Sequence, residues 1–157
     1  MKVISAVRNA MRVLCLMCLL MPGTVPAQQK VEVTNAWARA SVPGQRVGGV
    51  YMDIRSTAPA RLLSVSSSAA GKAQLHNMKI ENGVMKMFPV DGVELPAGQS
   101  IKLAPGGNHV MLIDLNRELK QGENVPLVLT VESPDKTRQT IEVKAEIRDI
   151  TGMHKTH

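Results

Sequence analysis

Residues 141–148 read Ile141-Glu142-Val143-Lys144-Ala145-Glu146-Ile147-Arg148, a strict alternation of apolar and charged side chains. In an extended strand successive side chains point to opposite faces, so this stretch buries one face and wets the other. The pattern repeats toward the N-terminus. Val31, Val33 and Trp37 alternate with Glu32, Thr34 and Ala36, and Val50, Met52 and Ile54 with Tyr51, Asp53 and Arg55; Leu127, Leu129 and Val131 follow the same rule. Turn chemistry separates these runs at Pro43-Gly44, Asn82-Gly83, Asp91-Gly92, Pro96-Ala97-Gly98, Pro105-Gly106-Gly107, Gln121-Gly122 and Pro134-Asp135. No long window carries a helical period. Short strands at this spacing predict an all-β domain, an antiparallel sandwich or barrel.

The first 27 residues stand apart. Lys2, Arg8 and Arg12 precede an apolar run, Val13 to Met21, that is too short to span a bilayer, and Val25-Pro26-Ala27 offers a small-residue cleavage site. Residues 1–27 therefore read as a signal peptide, 28–149 as the β-sandwich domain, and 150–157 as a short tail. The 157 residues, less this 27-residue leader, leave 130, enough for one core. The two cysteines, Cys15 and Cys18, both fall in the leader, so the mature chain has no disulfide and no thiol chemistry. Its charge drops from +6 to a mild +3 once Lys2, Arg8 and Arg12 are removed. With no basic run, no interleaved aromatics and no second apolar span, neither nucleic acid nor a membrane is an expected partner.

Six methionines remain in the mature chain: Met52, Met78, Met85, Met87, Met111 and Met153. Asn82-Gly83 predicts a two-residue type I′ hairpin. Counting outward from it sets Met78 opposite Met87, Lys79 opposite Lys86 and His76 opposite Pro89. His76, Met78, Met85 and Met87 then share one face, with His76 diagonal to Met87 at about 7–8 Å. A second cluster, Asn108-His109-Val110-Met111, points His109 and Met111 one way and Val110 and Leu112 into the core. Pro105-Gly106-Gly107 lets the chain turn there at the sheet edge, placing His109 beside a loop. Strand methionines and lone histidines are usually packing residues. Here, however, both histidines within the sheet have a methionine nearby on the same face, His76 with Met78 and His109 with Met111.

Thioether sulfur is soft and imidazole borderline, a combination suited to Cu(I) rather than to zinc, calcium or magnesium. The lack of cysteine disfavours a blue-copper electron-transfer centre. Met78 and Met85 read as spare sulfurs or, by preference, a hydrophobic collar that excludes water, and Trp37 and Tyr51 as core or edge residues; the spacing gives Trp37 no cation–π role. Met153, His154 and His157 in the tail form a candidate second site, for Cu(II).

The spacing His76, ten residues, Met87, twenty-one residues, His109, one residue, Met111 resembles the signature of the periplasmic copper chaperones called PCu(A)C. Gly83-Val84-Met85-Lys86-Met87, Leu95-Pro96-Ala97-Gly98 and Pro105 through Leu112 resemble that family's core segments in order. Ala36-Trp37-Ala38-Arg39 and Gly49-Val50-Tyr51-Met52 resemble its opening strands. The resemblance spans residues 31–148. It implies a cupredoxin-like Greek-key β-sandwich that is not an enzyme. It also implies a periplasmic location and Cu(I) delivery by ligand exchange to a cytochrome c oxidase subunit or its assembly factor. Storage or resistance without a dedicated acceptor is the alternative.

Overall fold

The computed structural model describes residues 29–149. Ten strands run in chain order: β1 (Val31–Arg39), β2 (Val47–Ser56), β3 (Ala60–Ser66), β4 (Ala70–Glu81), β5 (Val84–Pro89), β6 (Val93–Leu95), β7 (Ser100–Leu103), β8 (His109–Leu115), β9 (Asn124–Glu132) and β10 (Arg138–Arg148). They form one hydrogen-bonded path, β5-β4-β8-β2-β1-β10-β9-β3-β6, with β7 pairing the second half of β2. All pairings are antiparallel except β1 with β10. The connections from β3 to β4 and from β8 to β9 cross between distant parts of the path, and β3 lies against β4, so the sheet closes around a single core. This is the all-β, Greek-key sandwich expected from the sequence.

Parity decides what lies inside. Val50, Ile54, Val110, Leu112, Leu127, Leu129, Val131 and Ile147 are buried in the core, as their alternation predicts. No helix among the described residues is long and apolar enough to cross a membrane.

The β4–β5 hairpin has the register counted from its turn: Met78 pairs Met87, Lys79 pairs Lys86 and His76 pairs Pro89. Asn82 and Gly83 both have positive φ, 53° and 76°, as a type I′ turn demands. Gly83 carries this conformation at little cost, whereas an L side chain there is strained by roughly 1–2 kcal/mol. Gly83→Ala is expected to lower stability by about that amount, measured as a shift in urea midpoint at unchanged slope.

Two expectations need correction. The Pro105-Gly106-Gly107 turn is not at an edge of the sheet, because β8 is flanked by β4 on one side and β2 on the other. The alternation through β1 also breaks. Asn35 and Ala36 together oppose the single residue Met52, forming a bulge with Asn35 at φ 51°. The extra residue reverses the facing of everything after it. Ala38 is fully buried in the core, and Trp37, expected on the same face as Val31 and Val33, turns to the opposite face and packs on Tyr51.

Candidate metal centre

The outer face of β4 and β8 carries the histidines. His76 and His109 are direct cross-strand partners, with ring centroids 6.0 Å apart. Their parity is set by neighbours that must be buried: Leu75 on β4, and Val110 and Leu112 on β8. Although they face away from the core, the two rings are only 9% and 5% exposed.

Buried imidazole nitrogens need partners, so each must be accounted for. His109 Nδ1 donates to the Gly107 carbonyl at 2.9 Å, which leaves the lone pair on Nε2. His76 Nε2 donates to the Gln74 side-chain carbonyl at 3.2 Å, which leaves the lone pair on Nδ1. That Nδ1 is buried and has no hydrogen-bond partner. A buried acceptor without a donor costs about 1–3 kcal/mol, and a cation, like a hydrogen-bond donor, would satisfy it. In both rings the second nitrogen is tied to an oxygen, the arrangement that fixes tautomer and orientation in metal-ligating histidines.

Two thioethers flank this pair. Met111 pairs Gln74, two residue pairs along from His76 and His109, and Met87 pairs Met78 on the other side. Met111 is half-buried, whereas Met87 is 56% exposed. The fold therefore places all four expected residues on one face and buries them unequally: the imidazoles are buried and hydrogen-bonded, and Met87 is exposed. Met78 lies beside Gly106 in the loop before β8, where a β-carbon would sit 3.7 Å from its methyl. Met85 is mostly exposed. Met153, His154 and His157 lie outside the described residues.

Sequence reading missed one part of the neighbourhood. A row of rings crosses four strands: Trp37 to Tyr51 at 4.5 Å, Tyr51 to His109 at 6.3 Å, and His109 to His76. A bulge signal, the polar Asn35 at a position where the alternation calls for an apolar residue, was the available clue to where Trp37 points.

Two borderline nitrogens and two soft sulfurs, all uncharged, suit a soft monovalent cation. Among the described residues no three His, Cys, Asp or Glu side chains converge, so the face offers no carboxylate cage for a hard ion.

The model of the family described as "Putative lipoprotein LpqE-like" matches residues 31–147, three-quarters of the chain. The chain belongs to the LpqE-like family. A curated relative, "Putative lipoprotein Lxx21020" from Leifsonia xyli subsp. xyli, is 29% identical over 148 residues, covering 91% of this chain and 86% of its own. Among solved structures, the apo PCuAC domain from PmoF1 is similar at 27% identity and a TM-score of 0.62, over 76% of this chain and 94% of that one. The solution structure of CuI-DR1885 from Deinococcus radiodurans is similar at 30% identity and a TM-score of 0.54, over 80% of this chain and 84% of that one. The LpqE-like chain thus has the cupredoxin-like fold of PCuAC domains.

In this LpqE-like chain burial disfavours charge at His76. Burial pushes the His76 imidazole below its ordinary value near 6.5, and neighbouring His109 adds to the shift. Burial also raises the Tyr51 phenol, partly offset by the Arg39 guanidinium. For His76 the unfolded chain takes up its proton at a higher pH than the folded chain. The associated stability is therefore full above about pH 6.5 and is lost as pH falls through the folded value. Glu132, held down by its bond from Lys136, and Asp135, held down by the Thr137 backbone N–H, lose their contributions only in the carboxylate range. The metal-free protein is expected to have a lower urea midpoint at about pH 5.5 than at about pH 7.5, and His76→Phe should flatten that step.

Proposed function

We propose that this LpqE-like protein is a periplasmic Cu(I) carrier that holds the ion with His76, Met87, His109 and Met111 and delivers it by ligand exchange. The observation that carries the reading is the nitrogen accounting. Two buried imidazoles stand as cross-strand partners, each with one nitrogen tied to an oxygen, and the unprotonated Nδ1 of His76 lacks any donor. Thioethers on the same face complete a neutral, soft donor set. CuI-DR1885, which shares the fold, is a Cu(I) protein by name.

Unequal burial suggests an order of transfer. Met87, the exposed ligand, yields first to an incoming sulfur or nitrogen, Met111 follows, and the fixed imidazoles yield last. Because every ligand is uncharged, no carboxylate or thiolate need be protonated when the ion departs. The acceptor we infer is a soft-ligand copper site in a partner protein, the copper centre of a respiratory cytochrome c oxidase or an assembly factor for it. Nothing in the site calls for turnover of a substrate, so the protein acts as a carrier and not as an enzyme. The tail residues Met153, His154 and His157 are a candidate auxiliary Cu(II) site. Storage without an acceptor is the competing reading, and the exposure of Met87 favours delivery, since a store is better served by burying all four ligands.

Anaerobic titration with Cu(I) against a chromophoric chelator tests the site. One equivalent drawn from the chelator supports it; copper left entirely with the chelator overturns it. Delivery is tested in a deletion strain. Loss of oxidase activity at unchanged copper tolerance supports transfer, and the reverse pattern supports storage.

A further inference from the structure

The aromatic row beside the histidines has no part in the ligand set, yet three separate features combine to build it. The bulge at Asn35 and Ala36 turns Trp37 onto the outer face. Trp37 then packs against Tyr51 with centroids 4.5 Å apart and rings tilted by 39°. Gly49, two residues before Tyr51 on the same face of β2, leaves the space into which the Tyr51 side chain folds: a β-carbon at Gly49 would lie 2.6 Å from the phenolic oxygen. Gly49 is the cross-strand partner of Met111. The phenol therefore lies along β2, with its ring against His109 and its hydroxyl over the residue paired with Met111.

We propose that Tyr51, wedged by Trp37 and accommodated by Gly49, is a positioning residue that walls the β2 flank of the copper site. It fixes the His109 ring, keeps water from that side, and leaves the ion a single route past Met87. This rests on the Cu(I) reading above and extends it to the choice of oxidation state. Cu(I) is content with few soft ligands, whereas Cu(II) gains from additional hard ones such as water. A wall that denies water a coordination position thus favours Cu(I), in the way that an apolar surround controls solvent access and potential at other metal sites. On the opposite flank the hairpin is open, with Met87 56%, Met85 64% and Ile80 74% exposed.

The test compares Tyr51→Phe, Tyr51→Ala and Gly49→Ala with the wild-type protein. Gly49→Ala displaces the ring without deleting it, so it tests the wall should Tyr51→Ala fail to fold. Imidazole nitrogen NMR of the metal-free proteins reads His109 directly. Wild type and Tyr51→Phe should show one tautomer, protonated at Nδ1; Tyr51→Ala and Gly49→Ala should show averaging. Ag(I), a redox-inert stand-in, should still bind all four proteins, the two disrupted variants weaker by no more than the roughly 10–100-fold that loss of an outer-shell partner costs. The Cu(I)-loaded forms of the two disrupted variants should oxidise in air about tenfold faster than wild type, the scale on which outer-shell changes act. If Ag(I) binds throughout while tautomer and oxidation rate are unchanged in Tyr51→Ala and Gly49→Ala, the wall is wrong and the carrier stands. If wild type binds neither Ag(I) nor Cu(I), the carrier reading falls and the wall falls with it.

Discussion

His109→Ala is expected to weaken Cu(I) binding by more than the roughly 10–100-fold typical of losing an outer-shell partner, because it removes a proposed ligand itself. Its loss cannot be made good by a neighbour. Gly107, whose carbonyl receives the His109 Nδ1 proton, brings no side chain, and Tyr51 on the other side offers a neutral phenol. Adding Met111→Ala should leave the chelator in possession of all the copper. Folding should survive, since both side chains lie on the outer face while Val110 and Leu112 keep β8 in the core. Losing the Nδ1 hydrogen bond costs about 0.5–1.5 kcal/mol. Competition titration and a urea melt on the same sample separate the two effects. A variant that unfolds early and binds copper normally would mean that His109 is a packing residue.

Leu112→Ala is the converse case. Leu112 is fully buried on β8, between Met111 and Ile113, and its side chain fills the core beneath the strand that carries two of the four proposed ligands. Truncating a leucine in such a place costs about 2–5 kcal/mol, part lost transfer energy and part cavity. That amounts to a drop in melting temperature of roughly 10–20 °C for a domain of this size. Cu(I) is expected to restore part of that loss, because a ligand that binds only the folded state stabilises it by mass action. The check is calorimetry with and without one equivalent of Cu(I). A Leu112→Ala protein as stable as wild type would contradict the core packing around β8.

The two predictions sit on opposite faces of one strand, and this explains how much of the molecule was legible in its sequence. Alternation is a local signal. Where a strand is regular, as in β10 or the first half of β8, each residue's facing could be read by counting. Where Asn82-Gly83 sets the turn, the counting extended across two strands and gave the His76, Met78, Met87 and Pro89 register as observed. Bulges defeat the method. In β1 the extra residue hid the true facing of Trp37. In β3 a register shift between Leu62 and Ser64 breaks the alternation, and Ala60, Leu62 and Val65 are the buried set. The three residues of β6 and four of β7 are too short to show a period at all. For the site, each half was legible by counting, His76 with Met87 and His109 with Met111, whereas the joining of the two halves came only from the family resemblance. The nitrogen partners Gly107 and Gln74 and the ring of Tyr51 were not legible, because they depend on side-chain contacts that no spacing records.

The pairing of His76 with His109 joins β4 to β8 across 33 positions of chain. Neither hairpin nor strand alone assembles the site. A chain that has formed only β4 and β5 offers one imidazole and one thioether of the proposed set, and the other half arrives when β8 slots between β4 and β2. Tight loading with copper is thus a certificate that the sheet has been completed, and a partly folded or clipped chain is left out of the metal traffic without any separate inspector.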